Sequence, residues 1–332
     1  MDQLIDSFER RVNYLRISLT DRCNLRCLYC MPEEGIPLLP HDEILRYEEL
    51  IRLVQVATTL GIEKVRLTGG EPLLRRGVVS FVRALSECGL KDISVTTNGT
   101  LLAGCARELK AAGLTRLNIS LDTLRPERFR HIAGGRGELA DVLAGINEAE
   151  AAGFSPIKIN VVAMAGLNDD EIADFGRLTI DKPYRVRFIE LMPIGEQAGW
   201  RPERYLPAEE IKARLSALGE LEPVGERASF DGPARRFKIR GAAGEIGLIN
   251  PISRHFCPSC NRLRVTAAGR LRACLFSDHE VDIKRALRSG LSDDDLRAVF
   301  RLAIAAKPRR HPDIVPGGPI RKCQRQMSQI GG

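Results

Sequence analysis

The chain has no apolar run approaching the roughly 18 residues needed to span a bilayer. Its first ten residues, MDQLIDSFER, lack the hydrophobic stretch of a secretory signal. A cytoplasmic protein with no membrane partner is therefore expected. Aromatic residues are scarce, at 5% with a single tryptophan. A protein that grips nucleic acid by stacking needs an aromatic-studded basic surface. The net charge of +7 is also too mild to argue for nucleic acid, but suits a polyanionic small molecule if the charges converge. No G-x4-GK[ST] segment occurs, which excludes a P-loop.

What is present is an ordinary globular composition over 332 residues, 44% hydrophobic and 28% charged. Nine cysteines in a cytoplasmic chain read as metal or redox chemistry rather than a disulfide frame. A strand-then-helix rhythm runs through the first two thirds. Strands are expected at Tyr14–Leu19, Lys64–Thr68, Asp92–Thr97, Arg116–Leu121, Ile157–Val162 and Arg185–Glu190. Helices are expected at Tyr47–Leu60, Val78–Cys88, Leu102–Ala112, Leu139–Ala152 and Glu171–Thr179. Such alternation gives a parallel sheet with helices outside. The six units fall short of a closed eight-fold barrel. The expected fold is α/β, an incomplete (β/α)6 TIM-like barrel, with a flat doubly wound sheet as second choice. A barrel over 1–220 is followed by a smaller C-terminal α+β domain over 221–332, with strands at Arg236–Arg240 and Glu245–Ile249 and helices near Asp282–Ser289 and Asp293–Ala305. Gly195–Pro207 reads as a linker or long loop.

Side chains alternate faces along a strand. One face carries Leu15, Ile17, Val65, Leu67, Ile93, Val95, Leu117 and Ile119, which must meet the helices. The other carries Arg16, Lys64, Arg66, Thr68, Ser94, Asn118, Ser120, Lys158, Asn160, Arg185 and Arg187. An ordinary barrel fills its lumen with Val, Ile and Leu. Unpaired charges buried there would cost several kcal/mol each, so the lumen is expected to hold a charged ligand. A half-solvated sheet with one polar face is the plainer alternative.

Cys23, Cys27 and Cys30 form C-x3-C-x2-C directly after the first strand. A structural zinc site wants four ligands, and no histidine lies at a suitable short spacing. Three clustered thiolates suit a [4Fe–4S] cluster with one iron left open; closed clusters usually take four cysteines. Cys257, Cys260 and Cys274 form a second group, C-x2-C-x13-C. Cys323 could complete that set, and spacing alone leaves open and closed sites nearly even. Cys88 and Cys105 fall in helical patterns and read as buried small hydrophobes.

C-x3-C-x2-C with Tyr29, followed by Gly69-Gly70-Glu71-Pro72 after the second strand, resembles the radical S-adenosylmethionine superfamily. Within it the chain resembles the GTP 3′,8-cyclases of molybdenum cofactor biosynthesis, nearly end to end. The likeness rests on DRCNLRCLYCMP, RLTGGEPLLR, TTNG, LNISLDTL, CPSCNRLRVTAAGRLRACL and the terminal Gly331-Gly332. The resemblance implies two [4Fe–4S] clusters, held by Cys23, Cys27, Cys30 and by Cys257, Cys260, Cys274. The open iron of the first would chelate S-adenosylmethionine, with Tyr29, Gly69, Gly70, Glu71, Ser120 and Met192 at that site. The second would meet the guanine base. GTP contacts would come from Arg16, Arg66, Thr97, Lys158, Arg262 and Arg264, with Lys64, Thr68, Arg187 and Leu263 beside them. Arg262 and Arg264 share a face if extended.

The family's reaction follows from reductive cleavage of S-adenosylmethionine. The resulting 5′-deoxyadenosyl radical takes the C3′ hydrogen of GTP, the C3′ radical attacks C8, and a later reduction by one electron and one proton gives the dihydro product. Gly331 and Gly332 are implied to thread into the active site and assist. A reductant protein, a downstream cyclic pyranopterin monophosphate synthase and a homodimer are further implications. A peptide-maturing radical enzyme with an auxiliary cluster, or an iron–sulfur protein that modifies nucleic acid, are the alternatives.

Overall fold

The computed structural model describes residues 3–195, 200–225, 232–311, 323 and 325–331. Six strands lead the chain: β1 Tyr14–Ser18, β2 Lys64–Thr68, β3 Asp92–Thr97, β4 Arg116–Ser120, β5 Lys158–Ala163 and β6 Arg185–Glu190. Each pairs in parallel with the next. The returning helices are α1 Tyr47–Thr59, α2 Val78–Ser86, α3 Ala106–Ala111, α4 Pro126–Ile132, α5 Leu139–Ala151 and α6 Ile172–Asp181. In α1 the buried residues Leu50, Leu53, Val54 and Ala57 recur every three or four positions, as a helix facing a sheet requires. It starts at a capping box in which the Glu49 carboxylate accepts from the Arg46 N–H at 2.6 Å. The pattern expected over Leu102–Ala112 is broken: Leu102–Gly104 forms a 3-10 turn, and Cys105, at φ −145°, separates it from α3.

The region after residue 220 builds onto both edges of this sheet. Helix α7, Ala208–Leu215, leads to β7 Leu221–Pro223, β8 Arg235–Ile239 and β9 Glu245–Ile249. Strand β9 lies parallel to β6, and the β8–β7 hairpin extends that edge. At the opposite edge β10 Arg262–Val265 lies parallel to β1, with β11 Arg270–Arg272 and β12 Val281–Asp282 antiparallel beyond it. The order is β12-β11-β10-β1-β2-β3-β4-β5-β6-β9-β8-β7, so the sheet has two ends and the barrel stays open. Helices α8 Ile283–Arg288 and α9 Asp293–Ala305 pack beside β11, and a short α10, Met327–Ile330, lies near the C-terminus.

The two faces of the strands divide as the alternation requires. Leu15, Ile17, Val65, Leu67, Ile93, Val95, Leu117, Ile119, Ile159, Val161, Val186 and Phe188 all join one core with the helices. Leu263 and Val265 of β10 join the same core. Among the described residues, no helix is long and apolar enough to cross a membrane.

Candidate active site between two cysteine groups

The polar face of the strands surrounds a cavity of about 300 Å³, and both cysteine groups line it. They enter from opposite ends. The first group follows the C-terminal end of β1. Register pairs Tyr14 with Arg262, so Cys257 and Cys260, which precede β10, sit at the N-terminal end of β1. Strand β11 runs antiparallel and delivers Cys274 to that same end.

At the first end the cysteine loop is pinned to the end of α4. The Arg26 N–H donates to Ala133 O at 2.9 Å and the Leu28 N–H to Ile132 O at 3.0 Å. The Gly-Gly-Glu-Pro turn lies flat against this loop: the Gly70 N–H donates to Thr20 O at 2.7 Å, and the Glu71 N–H to Arg22 O at 2.8 Å. A Cβ on Gly69 would lie 2.4 Å from Thr20 O, and one on Gly70 would lie 2.1 Å from Arg22 O. Only glycine permits this approach. The buried Glu71 carboxylate accepts from the Leu73 N–H (2.9 Å), the Thr97 hydroxyl (2.8 Å) and the Asn98 N–H (2.7 Å). Its oxygens thus knit the turn to the end of β3; burial outweighs these bonds and holds its pKa up at about 7. The Tyr29 hydroxyl donates to Asp122 at 2.7 Å, and burial raises that carboxyl to about 6. Ser120 and Met192 line the cavity nearby.

The three thiols at this end are all held up by burial: Cys27 well above its ordinary value, Cys30 to about 12, and Cys23 upward. Burial works against a bare thiolate there, and a bound cation reverses that. At the other end Cys260 behaves differently. Burial raises it, but Arg262 and Lys307 outweigh burial and bring it to about 6. Cys257 stays raised by burial. None of the cysteines is in a disulfide. Cys323 is engaged elsewhere: Arg272 donates to its sulfur at 3.2 Å, and the thiol lies 3.3 Å from Asp278. His255 and His311 bring ring nitrogens within 4.8 Å of the Cys257 sulfur and of each other.

Between the ends the wall is cationic. Arg16, Arg66, Arg187, Arg262 and Arg264 line the cavity, with Thr68 and Thr97. Arg187 donates to Asn118 Oδ1 at 2.6 Å. Lys64 and Lys158 are buried behind this wall rather than lining it. Lys64 sits 3.3 Å from Asp92 and over the Tyr14 ring, and burial draws its pKa down to about 7. Burial and the repulsion of Arg187, Arg116 and Arg66 draw Lys158 to about 5. Tyr14 is raised by burial, but Arg66, Arg16, Lys64 and Arg262 outweigh it and lower the phenol to about 8. The Thr96 hydroxyl, Asn160 Oδ1 and Arg187 Nε are buried at this cavity with no partner among the described residues. Such orphaned groups call for a polar ligand.

Two expected contacts face other work. The Leu263 side chain turns into the core, and Leu263 is not among the residues that line the cavity. The Thr97 hydroxyl is committed to Glu71. Gly331 reaches the lumen: its carbonyl accepts from Arg264, and a Cβ on it would lie 2.3 Å from the Thr68 hydroxyl. Gly332 lies outside the described residues. The cavity also holds residues that sequence patterns did not mark, namely Arg10, His255, Lys307 and His311. Asn160, which also lines the cavity, was legible as a polar-face position.

A strand-borne C-x3-C-x2-C loop packed on a Gly-Gly-Glu-Pro turn, inside an open α/β barrel, defines a radical S-adenosylmethionine enzyme. Residues 17–179 match the Radical SAM superfamily, and residues 184–312 match Molybdenum Cofactor Synthesis C. The superfamily implies a [4Fe–4S] cluster and S-adenosylmethionine. The chain is 52% identical to the GTP 3′,8-cyclase of Heliobacterium modesticaldum, over 99% of this chain and 100% of that one. It is likewise 52% identical to that of Moorella thermoacetica, over 98% and 99%. The chain belongs to the GTP 3′,8-cyclase family. In fold it resembles Streptococcus suis SuiB bound to S-adenosylmethionine, with a TM-score of 0.60 at 15% identity, covering 87% of this chain and 68% of that one.

Proposed function

We infer that this enzyme converts GTP to (8S)-3′,8-cyclo-7,8-dihydroguanosine 5′-triphosphate, the first step of molybdenum cofactor biosynthesis. The observation that carries this reading is the pair of three-cysteine groups facing one cationic cavity from opposite ends. Cys23, Cys27 and Cys30 would hold one [4Fe–4S] cluster, and Cys257, Cys260 and Cys274 a second. The residues fit such groups, since buried thiols held high become ligands once a cation replaces the proton. Bound there, the first cluster would supply the single electron for reductive cleavage of S-adenosylmethionine.

The chain's own residues bind, orient and shield. Gly69 and Gly70 bring bare backbone to the cosubstrate, and Glu71 fixes their turn. Tyr29, Ser120 and Met192 border the same end. Arg16, Arg66, Arg187, Arg262 and Arg264 converge on a triphosphate of roughly −4 charge, with Lys64 and Lys158 behind them. Thr68 and Thr97 complete the wall. The Gly331 carbonyl, held by Arg264, places the tail beside the substrate, and Gly332 follows it as an assisting residue. Enclosing the reacting groups within the lumen keeps a primary radical from taking hydrogen elsewhere. Residues 1–220 form the barrel and 221–332 the region that carries the second cluster. A reductant protein feeds the enzyme, and the product passes to cyclic pyranopterin monophosphate synthase. The enzyme works as a cytoplasmic homodimer. Family membership supports these last three points.

The test is anaerobic reconstitution with reductant, S-adenosylmethionine and GTP. The expected result is 5′-deoxyadenosine together with loss of GTP. Fully reconstituted protein that yields neither removes the cyclase reading.

A further inference from the structure

We propose that Lys307 is a positioning residue of the C-terminal metal centre, and that with Arg262 it makes that centre the more readily reduced of the two. The inference rests on reading both cysteine groups as cluster ligands. Lys307 lies two residues beyond α9 and is only 3% exposed, a rare place for a lysine. Its Nζ donates to Arg262 O at 2.8 Å, to Ala273 O at 2.7 Å and to the Cys260 sulfur at 3.5 Å. Those two carbonyls stand beside the segments that deliver Cys260 and Cys274. Lys307 therefore clamps the ligand hairpin and holds a positive charge against a ligand sulfur.

Other cations reinforce it. Arg262 opens β10 two residues after Cys260, and its charge stabilises the Cys260 thiolate. Arg10 donates to Cys257 O at 2.8 Å and to Pro308 O at 2.7 Å, tying the Lys307 segment to the ligand loop.

The N-terminal group is dressed differently. The donors to the Cys23 sulfur are neutral: the Leu25 N–H at 3.4 Å and the Asn98 amide at 3.9 Å. Arg26 is the nearby cation and is bonded to the Cys23 carbonyl at 2.8 Å. Two carboxyl groups stand close by: Glu71 accepts from the Asn98 N–H at 2.7 Å, and Asp122 from the Tyr29 hydroxyl at 2.7 Å. Hydrogen bonds to cluster sulfur and adjacent positive charge both favour the reduced, more negative cluster. The first electron given to substrate-free holoenzyme therefore rests at the C-terminal centre. The N-terminal centre, lacking that help, keeps its electron loosely, as a group that must cleave a sulfonium requires.

The experiment is a redox titration of the anaerobically reconstituted full chain, followed by electron paramagnetic resonance and iron analysis. The two signals are assigned with Cys23/Cys27/Cys30→Ala and Cys257/Cys260/Cys274→Ala forms. The C-terminal signal is expected to appear first as the potential is lowered. Lys307→Met should shift its midpoint downward and leave the N-terminal signal in place, and Lys307→Arg should restore it. About four irons and one signal in the unmodified chain would remove the two-cluster reading itself. About eight irons with the N-terminal signal appearing first would overturn the inference, as would a Lys307→Met midpoint that does not move. If Lys307→Met fails to retain its second cluster, the order of the two signals in the unmodified chain decides.

Discussion

Binding of GTP should draw protons from solution. In the free protein Lys158 is pulled by burial to about 5, with Arg187, Arg116, Arg66 and Arg185 adding repulsion. Lys64 is pulled by burial to about 7; Tyr14 helps its charged form while Arg66, Arg116 and Arg187 oppose it. Both amines are therefore largely neutral at pH 8. A bound triphosphate supplies the missing negative charge, and each lysine regains a proton. For Lys158 the gap of about three pH units, at 1.36 kcal/mol each, costs about 4 kcal/mol of gross binding energy. The bound form holds more protons than the free form, so affinity falls as pH rises. Between about pH 7.5 and 8.5 each lysine contributes up to tenfold, and the pair up to about a hundredfold. The terminal phosphate, with its second pKa near about 6, is already ionised there and does not offset the trend. The same depressed lysines act oppositely on folding. The unfolded chain holds protons that the folded one lacks, so their penalty on the free protein shrinks as pH rises from about 5 toward about 10. Calorimetry of GTP binding at pH 8, in two buffers of different ionisation enthalpy, should give an uptake of one to two protons. Lys158→Met should remove about one of them. A binding enthalpy independent of buffer would refute the reasoning.

Gly70→Ala places a methyl group 2.1 Å from the Arg22 carbonyl. The turn must move, and S-adenosylmethionine binding by equilibrium dialysis should fall by at least tenfold while the C-terminal cluster signal persists. Leu263→Ala should lower unfolding stability by about 2–5 kcal/mol through a core cavity. Its KM for GTP should stay within about twofold, since the side chain faces away from the lumen. Arg272 is fully buried against Glu280 at 2.7 Å and the Cys323 sulfur at 3.2 Å. Arg272→Met should cost about 3 kcal/mol in denaturant unfolding, because it strands a carboxylate that Arg325 then holds alone.

Alternation made the barrel legible. Strand β2 reads Lys64-Val65-Arg66-Leu67-Thr68, and period-two patterning alone assigns its charged face to the lumen. The same logic placed Arg262 and Arg264 together and leaves Leu263 opposite them, so that residue's place in the core was readable from its register. Helix α4 escaped notice although Pro126 marks its first turn, because its seven residues are too few to show a period. Lys307 and Arg10 escaped for a different reason. Arg10 meets Cys257 across 247 residues, and Lys307 meets Cys260 across 47. Nothing local in either segment encodes a partner so distant. The pairing of β10 with β1 brings Arg10 to Cys257, and the packing of α9 beside β11 brings Lys307 to Cys260; such long-range pairing is not written in the composition of either segment.

That pairing also explains why the lumen can be polar along its whole length. A closed barrel with its site at one mouth fills the other half with branched apolar side chains. Here Arg262 stands level with Tyr14 and Lys64, at the end where such packing would lie. The five residues of β1 make four steps of about 3.3 Å, so the strand itself spans roughly 13 Å between the ends at which the two cysteine groups sit. A ligand anchored at one group touches the other only if it is long enough, and the cationic wall between them favours one with charge along its length. Because the sheet stays open, β10 can pair with β1 at its edge, and that pairing brings the second cysteine group to the opposite end of the cavity from the first.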